Sequence, residues 1–230
     1  EMRSIFVQMF IQLADVVTVT NDHLKTLYSP WQKNIKVIPN CVSPEMRRDK
    51  PKKKNDKIKI LWSGSSSHLP DLHLIKGALA EVVKQVGDKI ELHFQGPIDF
   101  EEEFPDLPLV TYPAVPFADY LDVIQGINAD IAIAPLRNHI FNKSKSNLKF
   151  LQMSLMEAAF VGSNYGPYAS IDHGSEALLA KTENDWVKHL VELVNNETLR
   201  NTLVKNATKH IDMNFMINKQ IHNWINIFTR

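Results

Sequence analysis

Residues 130–168, DIAIAPLRNHIFNKSKSNLKFLQMSLMEAAFVGSNYGPY, contain two short apolar runs separated by a longer segment of helical spacing. The runs Ile131–Ala134 and Phe160–Ser163 have the length of buried strands, and the spacing between them predicts a helix over Leu148–Ala159. A strand, a helix and a second strand in this order are typical of a parallel sheet, because the helix carries the chain back across the sheet.

The same alternation of strand and helix runs through the middle of the chain. The predicted strands are Ile58–Trp62, Ile90–Phe94 and Leu109–Val115, the predicted helices are Leu72–Val86 and Phe117–Ile127, and Asp99–Asp106 is an acidic loop. We therefore predict an α/β fold, a Rossmann-like parallel sheet with helices on both faces.

Further elements are predicted toward both ends of the chain. At the start they are a helix over Met2–Leu13, a strand over Ala14–Thr20, a helix from Asn21 to about Tyr28 and a strand over Ile35–Pro39. At the end they are helices over Trp186–Val194, Glu197–His210 and Met216–Phe228. We interpret Trp186, Leu190 and Leu193, which recur at helical spacing, as core residues.

A polar, mostly basic connector, PEMRRDKPKKKNDK at residues 44–57, is the clearest domain boundary. Such a run is typically a solvated linker, although it could also contact acidic lipid. The chain as a whole has 26 basic and 26 acidic residues, so its charge gives no support for nucleic-acid binding. The chain has one cysteine and no apolar run of about 20 residues, so we expect a cytoplasmic protein. Peripheral contact with the inner face of the membrane is compatible with this location.

Ligands on parallel sheets bind at the carboxyl ends of the strands, so the loops that follow strands are the candidate sites. The serine loop, Trp62–His68, follows the first strand of the sheet, and Gly64 and Ser65 would let a phosphate approach its backbone. It contains one glycine and therefore lacks the GxGxxG motif of dinucleotide folds. An ordinary strand-to-helix turn would have the same composition.

The basic loop, Arg137–Lys149, supplies four cations, two serines and three asparagines between a strand and a helix. Lysine offers point charge to a diphosphate, and the start of the following helix adds its dipole. The alternative is a solvated basic loop. In a third loop, Ser163–Tyr168, the Gly-Pro pair forces a turn, so ligand binding and turn chemistry look alike in the sequence.

No metal site or nucleophile is predicted. His68, His93, His139 and His173 are scattered without a ligand spacing such as HExxH. Cys41 lies in no nucleophile motif, and we interpret it as a small packing residue.

Four stretches form a series along the chain: ADVVTVTNDHLKTLYSPWQKNIKVIPNCVSP at Ala14–Pro44, IKILWSGSSSHLPD at Ile58–Asp71, the quoted Asp130–Tyr168, and the helices of Asp185–His210. Together they resemble the family-4 (group 1) glycosyltransferases, with the third stretch the most specific. The resemblance implies a GT-B fold, in which two Rossmann-like domains face each other across a cleft. The second domain of that fold binds the nucleotide-sugar donor and the first binds the acceptor.

The resemblance also implies a domain arrangement. Residues 1–43 would end the N-terminal acceptor domain and form the interdomain junction, and residues 44–57 would be the basic linker. Residues 58–213 would be the nucleotide-sugar-binding domain, and residues 214–230 a C-terminal helix that crosses back toward the first domain. Because Glu1 stands where a methionine would begin a protein, we interpret the chain as a fragment with earlier residues missing. The resemblance implies that most of the acceptor domain is absent, and we expect the chain not to transfer sugar alone.

For the site, the resemblance implies a donor pocket at the strand ends. The donor would be a nucleotide diphosphate sugar and the acceptor a glycan, a lipid-linked group or a protein, with retained anomeric configuration, no cofactor and no tightly bound metal. Lys145 and Lys149 would carry charge, Gln152 would hold the ribose, and Val115 and Pro116 would lie near the base. The other expected donor-binding residues are Gly64, Ser65, His68, Asn142, Ser146 and Asn147; no catalytic residue is assigned.

The chain departs from the family pattern at particular positions. Cys41 replaces a glycine, the family's paired glutamates fall on Ser144 and Gln152, and Glu157 and Ala159 replace a glycine and a proline. These departures favour a first alternative, a degenerate module that binds the nucleotide without catalysis. A second alternative, a dinucleotide-dependent enzyme of similar architecture, is disfavoured by the missing GxGxxG motif.

Overall fold

The computed structural model describes residues 2–229, with side chains from Ile5 onward. Within these residues the strands are β1 (Val17–Val19), β2 (Ile35–Val37), β3 (Ile58–Ser63), β4 (Ile90–Gln95), β5 (Leu109–Tyr112), β6 (Ile131–Ala134), β7 (Ala159–Ser163) and β8 (Leu178–Ala180). The helices are α1 (Met2–Leu13), α2 (Asp22–Tyr28), α3 (Leu69–His73), α4 (Lys76–Val86), α5 (Phe100–Glu103), α6 (Phe117–Ile127), α7 (Ile140–Lys143), α8 (Leu148–Leu155), α9 (Glu183–Asn195), α10 (Glu197–Asn214) and α11 (Ile217–Phe228).

Six strands form one parallel sheet in the order β5-β4-β3-β6-β7-β8. β3 lies near its centre, where Ile60 is paired with Leu92 of β4 on one side and with Ile131 of β6 on the other. Helices α4 and α9 pack on one face, and α6, α8 and α10 pack mainly on the other. The predicted α/β fold with a Rossmann-like parallel sheet is therefore confirmed. Strands β1 and β2 form a separate parallel pair.

The hydrophobic core is divided by the sheet into two clusters. Ile60 and Trp62 of β3 belong to one cluster and Leu61 to the other, because successive side chains of a strand point to opposite faces. Trp186 and Leu190 are buried in the first cluster, as their helical spacing predicted, and so is Leu193. In the described part of the chain, no helix combines the length and the apolar run that a membrane span requires.

Several predicted boundaries differ from the structure for local reasons. The predicted helix Leu72–Val86 is divided into α3 and α4, because Ile75 leaves helical geometry while its side chain stays buried. The acidic loop Asp99–Asp106 contains α5, which begins where the Asp99 carboxylate accepts a hydrogen bond from the Glu102 amide at 3.1 Å. β5 stops at Tyr112 because Pro113 has no amide to continue the ladder.

The basic connector is mostly exposed, but two of its residues, Lys52 and Asn55, bind the sheet domain. The Lys52 ammonium donates to the carbonyls of Ala129, at 2.8 Å, and Glu157, at 2.5 Å, and lies 3.5 Å from an Asp130 carboxylate oxygen. Asn55 donates to the other carboxylate oxygen of Asp130 at 2.8 Å. The connector therefore contributes to the stability of the domain as well as joining its parts.

The segment 1–43 is tied to the boundary of α10 and α11. The Val42 amide donates to the Phe215 carbonyl at 2.9 Å, and the Ile217 amide donates to the Val42 carbonyl at 3.0 Å. Arg47 pairs with Asp212 next to this point. The chain around Val42 therefore meets the boundary of α10 and α11 at one junction.

At the end of α8, Glu157 stands where the sequence pattern that this chain resembles has a glycine. The Glu157 amide donates to the Ser154 carbonyl at 3.0 Å, and the Ala158 amide donates to the Met153 carbonyl at 3.1 Å. These two bonds place Glu157 in the left-handed region, with φ of 60°, a conformation that glycine adopts at helix ends with little strain. The glycine of the family pattern therefore matches the geometry, and the glutamate is strained.

Replacing Glu157 with glycine should stabilise the chain. Relief of the left-handed strain, about 1–2 kcal/mol, exceeds the extra entropy of glycine in the unfolded state, about 0.4–1 kcal/mol, so we expect a gain of about 0.5–1 kcal/mol in the free energy of unfolding. Urea denaturation measures it. Glu157→Ala is the matched control, because it removes the same exposed carboxylate without freeing the backbone. A gain as large in the alanine variant would assign the effect to charge and contradict the strain argument.

Candidate functional site

The site lies where the order of strands reverses. From β3 the chain moves outward to β4 and β5, and β6 then returns to the other side of β3. Loops leaving the carboxyl ends of β3 and β6 therefore diverge and leave a crevice, the usual position of a ligand on such a sheet. A cavity of about 290 Å³ occupies this position, near the lower end of the range for small-molecule sites. It is lined by Trp62, Ser63, His68, Ile133, Ala134, Pro135, Leu136, Lys145, Ser146, Leu148, Lys149, Gln152 and Tyr168.

A buried carboxylate, Asp71, connects the loops on the two sides of this cavity. Its Oδ1 atom accepts hydrogen bonds from the Arg137 amide at 3.0 Å and from the Asn142 side chain at 2.8 Å. Its Oδ2 atom lies 3.1 Å from His68 Nδ1 and 3.6 Å from Lys145 Nζ. Asp71 thus joins α3, which follows the serine loop, to both ends of the α7 segment in the basic loop.

The electrostatics of this cluster favour an ionised Asp71. Burial by itself would raise the pKa of Asp71, but hydrogen bonds from His68, the Arg137 amide and Asn142, together with the charge of Lys145, hold it well below its usual range. Burial lowers the pKa of Lys145, and the charge of Asp71 partly opposes that shift. His68 Nδ1 also lies 3.2 Å from Lys145 Nζ, so it can donate to Asp71 or accept from Lys145, but not both.

A second chain of polar contacts reaches the cavity at Ser63 and Lys149, which both line it. Lys149 Nζ donates to the Tyr120 hydroxyl at 2.9 Å, and that hydroxyl lies 3.1 Å from Ser63 Oγ. Ser63 donates to the Gln95 side-chain oxygen at 2.7 Å, and the Gln95 amide donates to the Pro113 carbonyl at 3.0 Å. The chain of contacts therefore fixes the Lys149 ammonium relative to the ends of β3, β4 and β5.

Gln152 and Tyr168 complete the cavity wall. Gln152 is 5% exposed, and its side-chain amide makes no hydrogen bond to any residue in the described range 2–229. An amide that lines a cavity without a protein partner is available to a ligand. Burial, and then the negative charge of Asp71, raises the pKa of the Tyr168 phenol, which therefore stays neutral.

Five of the expected donor-binding residues line this cavity: His68, Lys145, Ser146, Lys149 and Gln152. Asn142 lies behind it, buried against Asp71. The remaining five lie outside the lining. The Gly64 amide donates a hydrogen bond to the Gln95 carbonyl, and Ser65 is exposed. Asn147 precedes α8, and Val115 and Pro116 precede α6.

Sequence reasoning did not single out Asp71, Ser63 or Tyr120. The spacing of His68 and Asp71, three residues apart at a helix start, was the one signal for the buried carboxylate, and acids are common at that position for reasons of helix stability. Tyr120 looks like an ordinary residue of an amphipathic helix, and only the fold brings it to Ser63 and Lys149.

A larger cavity, about 740 Å³, lies elsewhere, between residues of the first 43 and α11. Its lining contains one cation, Lys36, and one carboxylate, Asp15, together with asparagines and apolar side chains. The smaller cavity is lined by two lysines, Lys145 and Lys149, and by the open amide of Gln152, so it is the stronger candidate for a ligand site. Within residues 2–229, no cluster of His, Cys, Asp and Glu has an arrangement that could hold a metal ion.

Comparison with known proteins identifies the fold. No protein-family model and no curated protein matches the sequence. Among solved structures, a mutant of S. aureus TarM in complex with fondaparinux, α-GlcNAc-glycerol and UDP matches with a TM-score of 0.77 and 16% identity, over 100% of this chain and 47% of its own. Anabaena Alr3699/HepE in complex with UDP and glucose matches with a TM-score of 0.75 and 13% identity, over 98% of this chain and 66% of its own.

WaaG, a glycosyltransferase involved in lipopolysaccharide biosynthesis, matches with a TM-score of 0.68 and 14% identity, over 85% of this chain and 58% of its own. These structural neighbours are GT-B glycosyltransferases, so the chain has the Rossmann-like fold of that class. The chain spans about half the length of TarM.

Replacing Asp71 with asparagine should destabilise the chain at neutral pH. The variant removes the charge partner of Lys145, and a charge-assisted hydrogen bond contributes about 1.5–3 kcal/mol, so we expect a loss of about 2 kcal/mol. Because folding lowers the pKa of Asp71, the advantage of the wild type is complete above the unfolded-state pKa, about 3.9, and is lost progressively as the pH falls below that value.

Urea unfolding of both proteins between about pH 7 and pH 3 measures this difference. Asp106→Asn is the matched control, because Asp106 is exposed and the same substitution there should change the free energy of unfolding by no more than about 0.5 kcal/mol. A difference between wild type and Asp71→Asn that stayed constant across the pH range would contradict an ionised Asp71.

Proposed function

We propose that this chain is the donor-binding part of a glycosyltransferase that moves a sugar from a nucleotide diphosphate sugar to an acceptor. The observation that carries the proposal is the convergence of Lys145, Lys149 and the open amide of Gln152 on one cavity at the strand ends of a GT-B-type sheet. TarM and HepE were both solved with UDP, which supports a nucleoside diphosphate as the ligand.

The chemistry of sugar transfer explains why cations belong at this place. When the bond between the sugar and the diphosphate breaks, negative charge grows on the leaving diphosphate. Lys145 and Lys149 lie on either side of the start of α8, so two ammonium groups and the positive end of the helix dipole would oppose that charge. These groups stabilise the leaving group electrostatically, and the proposal includes no metal ion.

The finer features of the reaction follow from the resemblance of the sequence. We propose transfer with retention of the anomeric configuration, to a glycan, a lipid-linked group or a protein. Gln152 would bind the ribose hydroxyls from the cavity wall, where its amide is unpaired among the described residues. The loop containing Val115 and Pro116 would contact the base, and the polar chain from Lys149 through Tyr120 to Gln95 ends beside it at the Pro113 carbonyl.

A panel of ligands tests the proposal directly. A compound that binds only the folded state raises the melting temperature, so a thermal-shift series can compare UDP, GDP and ADP with NAD. A shift with at least one nucleoside diphosphate and none with NAD is expected. A shift with NAD alone would favour a dinucleotide-dependent enzyme, and the absence of any shift would overturn the proposal.

Lys145→Ala should weaken binding of the best nucleoside diphosphate roughly ten- to hundredfold and leave binding of its nucleoside nearly unchanged. The physical reason is the loss of one charge-assisted contact, about 1.5–3 kcal/mol, which only the phosphates can make. Calorimetric titration with both ligands measures the two effects. Lys143→Ala is the control, because Lys143 is exposed in the same loop and does not line the cavity. Equal losses for the two ligands would remove Lys145 from the diphosphate.

Gln152→Glu should keep or tighten binding of the same nucleoside diphosphate, by about 1 kcal/mol, because a carboxylate accepts stronger hydrogen bonds than an amide does. The gain should shrink for the 2′,3′-dideoxy form, which lacks the ribose hydroxyls. Four calorimetric titrations, of two proteins with two ligands, measure this. Detectable binding in all four with no difference among them would remove Gln152 from the ribose site.

A further inference from the structure

The segment 1–43 contacts the basic loop through two asparagine side chains. Asn21 Nδ2 donates to the Lys145 carbonyl at 2.9 Å and lies 3.4 Å from the Lys143 carbonyl. Asn40 Nδ2 donates to Ser146 Oγ at 2.8 Å. The stretch held in this way, residues 143–146, runs from the last residue of α7 toward α8 and carries the cavity-lining Lys145 and Ser146.

The Asn21 side chain makes hydrogen bonds through both its oxygen and its nitrogen. Its Oδ1 atom accepts a hydrogen bond from the Leu24 amide at 2.9 Å and so caps α2. Its Nδ2 atom is then directed at the basic loop, and the cap fixes the orientation of the whole side chain. An amide group is suited to this position because it combines an acceptor and donors on one planar unit.

The backbone of the basic loop depends on this external donor. The Lys145 amide reaches the Asn142 carbonyl at 3.3 Å, and the Ser144 amide is shared between the Ile140 and Phe141 carbonyls at 3.3 and 3.2 Å, which are long hydrogen bonds. The Lys145 carbonyl is bound at 2.9 Å by Asn21 instead. The position of this peptide group sets where the Lys145 side chain enters the cavity.

We propose that Asn21 is a positioning residue for the donor site: by binding the Lys145 carbonyl, it holds the Lys145 ammonium where the diphosphate binds. The inference rests on the proposed function. It adds that the geometry of the cavity in the sheet domain depends on Asn21, although no described residue before Trp62 lines the cavity.

Asn21→Asp and Asn21→Ser test the proposal. Both replacements keep an oxygen that can cap α2, and both remove the amide donor, with an added charge in one and none in the other. The matched controls are Asn196→Asp and Asn196→Ser, because Asn196 caps α10 through the same bond, to the Leu199 amide at 2.9 Å, away from the cavity. Calorimetry gives the affinity of each variant for the best nucleoside diphosphate and for its nucleoside.

We expect both Asn21 variants to bind the nucleoside diphosphate about three- to tenfold more weakly, the effect of one neutral hydrogen bond, with nucleoside affinity unchanged. Both Asn196 variants should match the wild type. In a Lys145→Ala background the Asn21 substitutions should have no further effect, since a positioning residue acts through the group that it positions.

Three results would overturn the inference. They are wild-type affinity in both Asn21 variants, an equal loss for diphosphate and nucleoside, and an undiminished loss in the Lys145→Ala background. Wild-type protein that binds no nucleoside diphosphate would be a different failure, because it overturns the proposed function and this inference with it.

Discussion

A buried anion joins the two halves of the site, and its surroundings show how the chain accommodates it. Asp71 is 2% exposed, so its charge is removed from water and must be offset by protein groups. The Arg137 amide and the Asn142 side chain bind one oxygen, and His68 and Lys145 approach the other. Since these partners come from loops that follow β3 and β6, the carboxylate sets the distance between the two walls of the cavity.

The parallel sheet could be predicted from the sequence because its strands are buried on both faces. Continuous apolar runs such as Ile131–Ala134 and Phe160–Ser163 have few other interpretations when helices of suitable length separate them. β8 was missed because its residues, Leu178–Ala180, include none of the β-branched side chains that indicated β1 and β2, and the strand forms by pairing with β7. α5 was missed because its four residues are mostly acidic and its stability comes from the Asp99 cap and from buried Phe100.

Part of the candidate site could be predicted from the sequence, namely the residues whose position follows from the strand that precedes them. Charged residues in a loop after a strand identify Lys145 and Lys149, because strand ends converge at one edge of a parallel sheet. Partners that are distant in the chain could not be predicted in this way. Tyr120 contacts Lys149 only because α6 and α8 pack on the same face of the sheet. Gly64 and Ser65, chosen for their small size, lie outside the cavity lining, since small residues also suit the turn that follows β3.

Two departures from the family pattern have different physical meanings. Glu157 occupies a left-handed backbone position at a helix end, on the surface and away from the cavity. Its backbone strain therefore lowers the stability of the folded state. Gln152 occupies a helical position without backbone strain and lines the cavity, so the proposed role of its amide concerns a ligand and not the backbone. The two departures should therefore be judged separately, Glu157 by its effect on stability and Gln152 by its effect on binding. The fold places Lys145 and Lys149 at the cavity and ties Lys145 to the buried Asp71, and of these two positions only Gln152 lines that cavity.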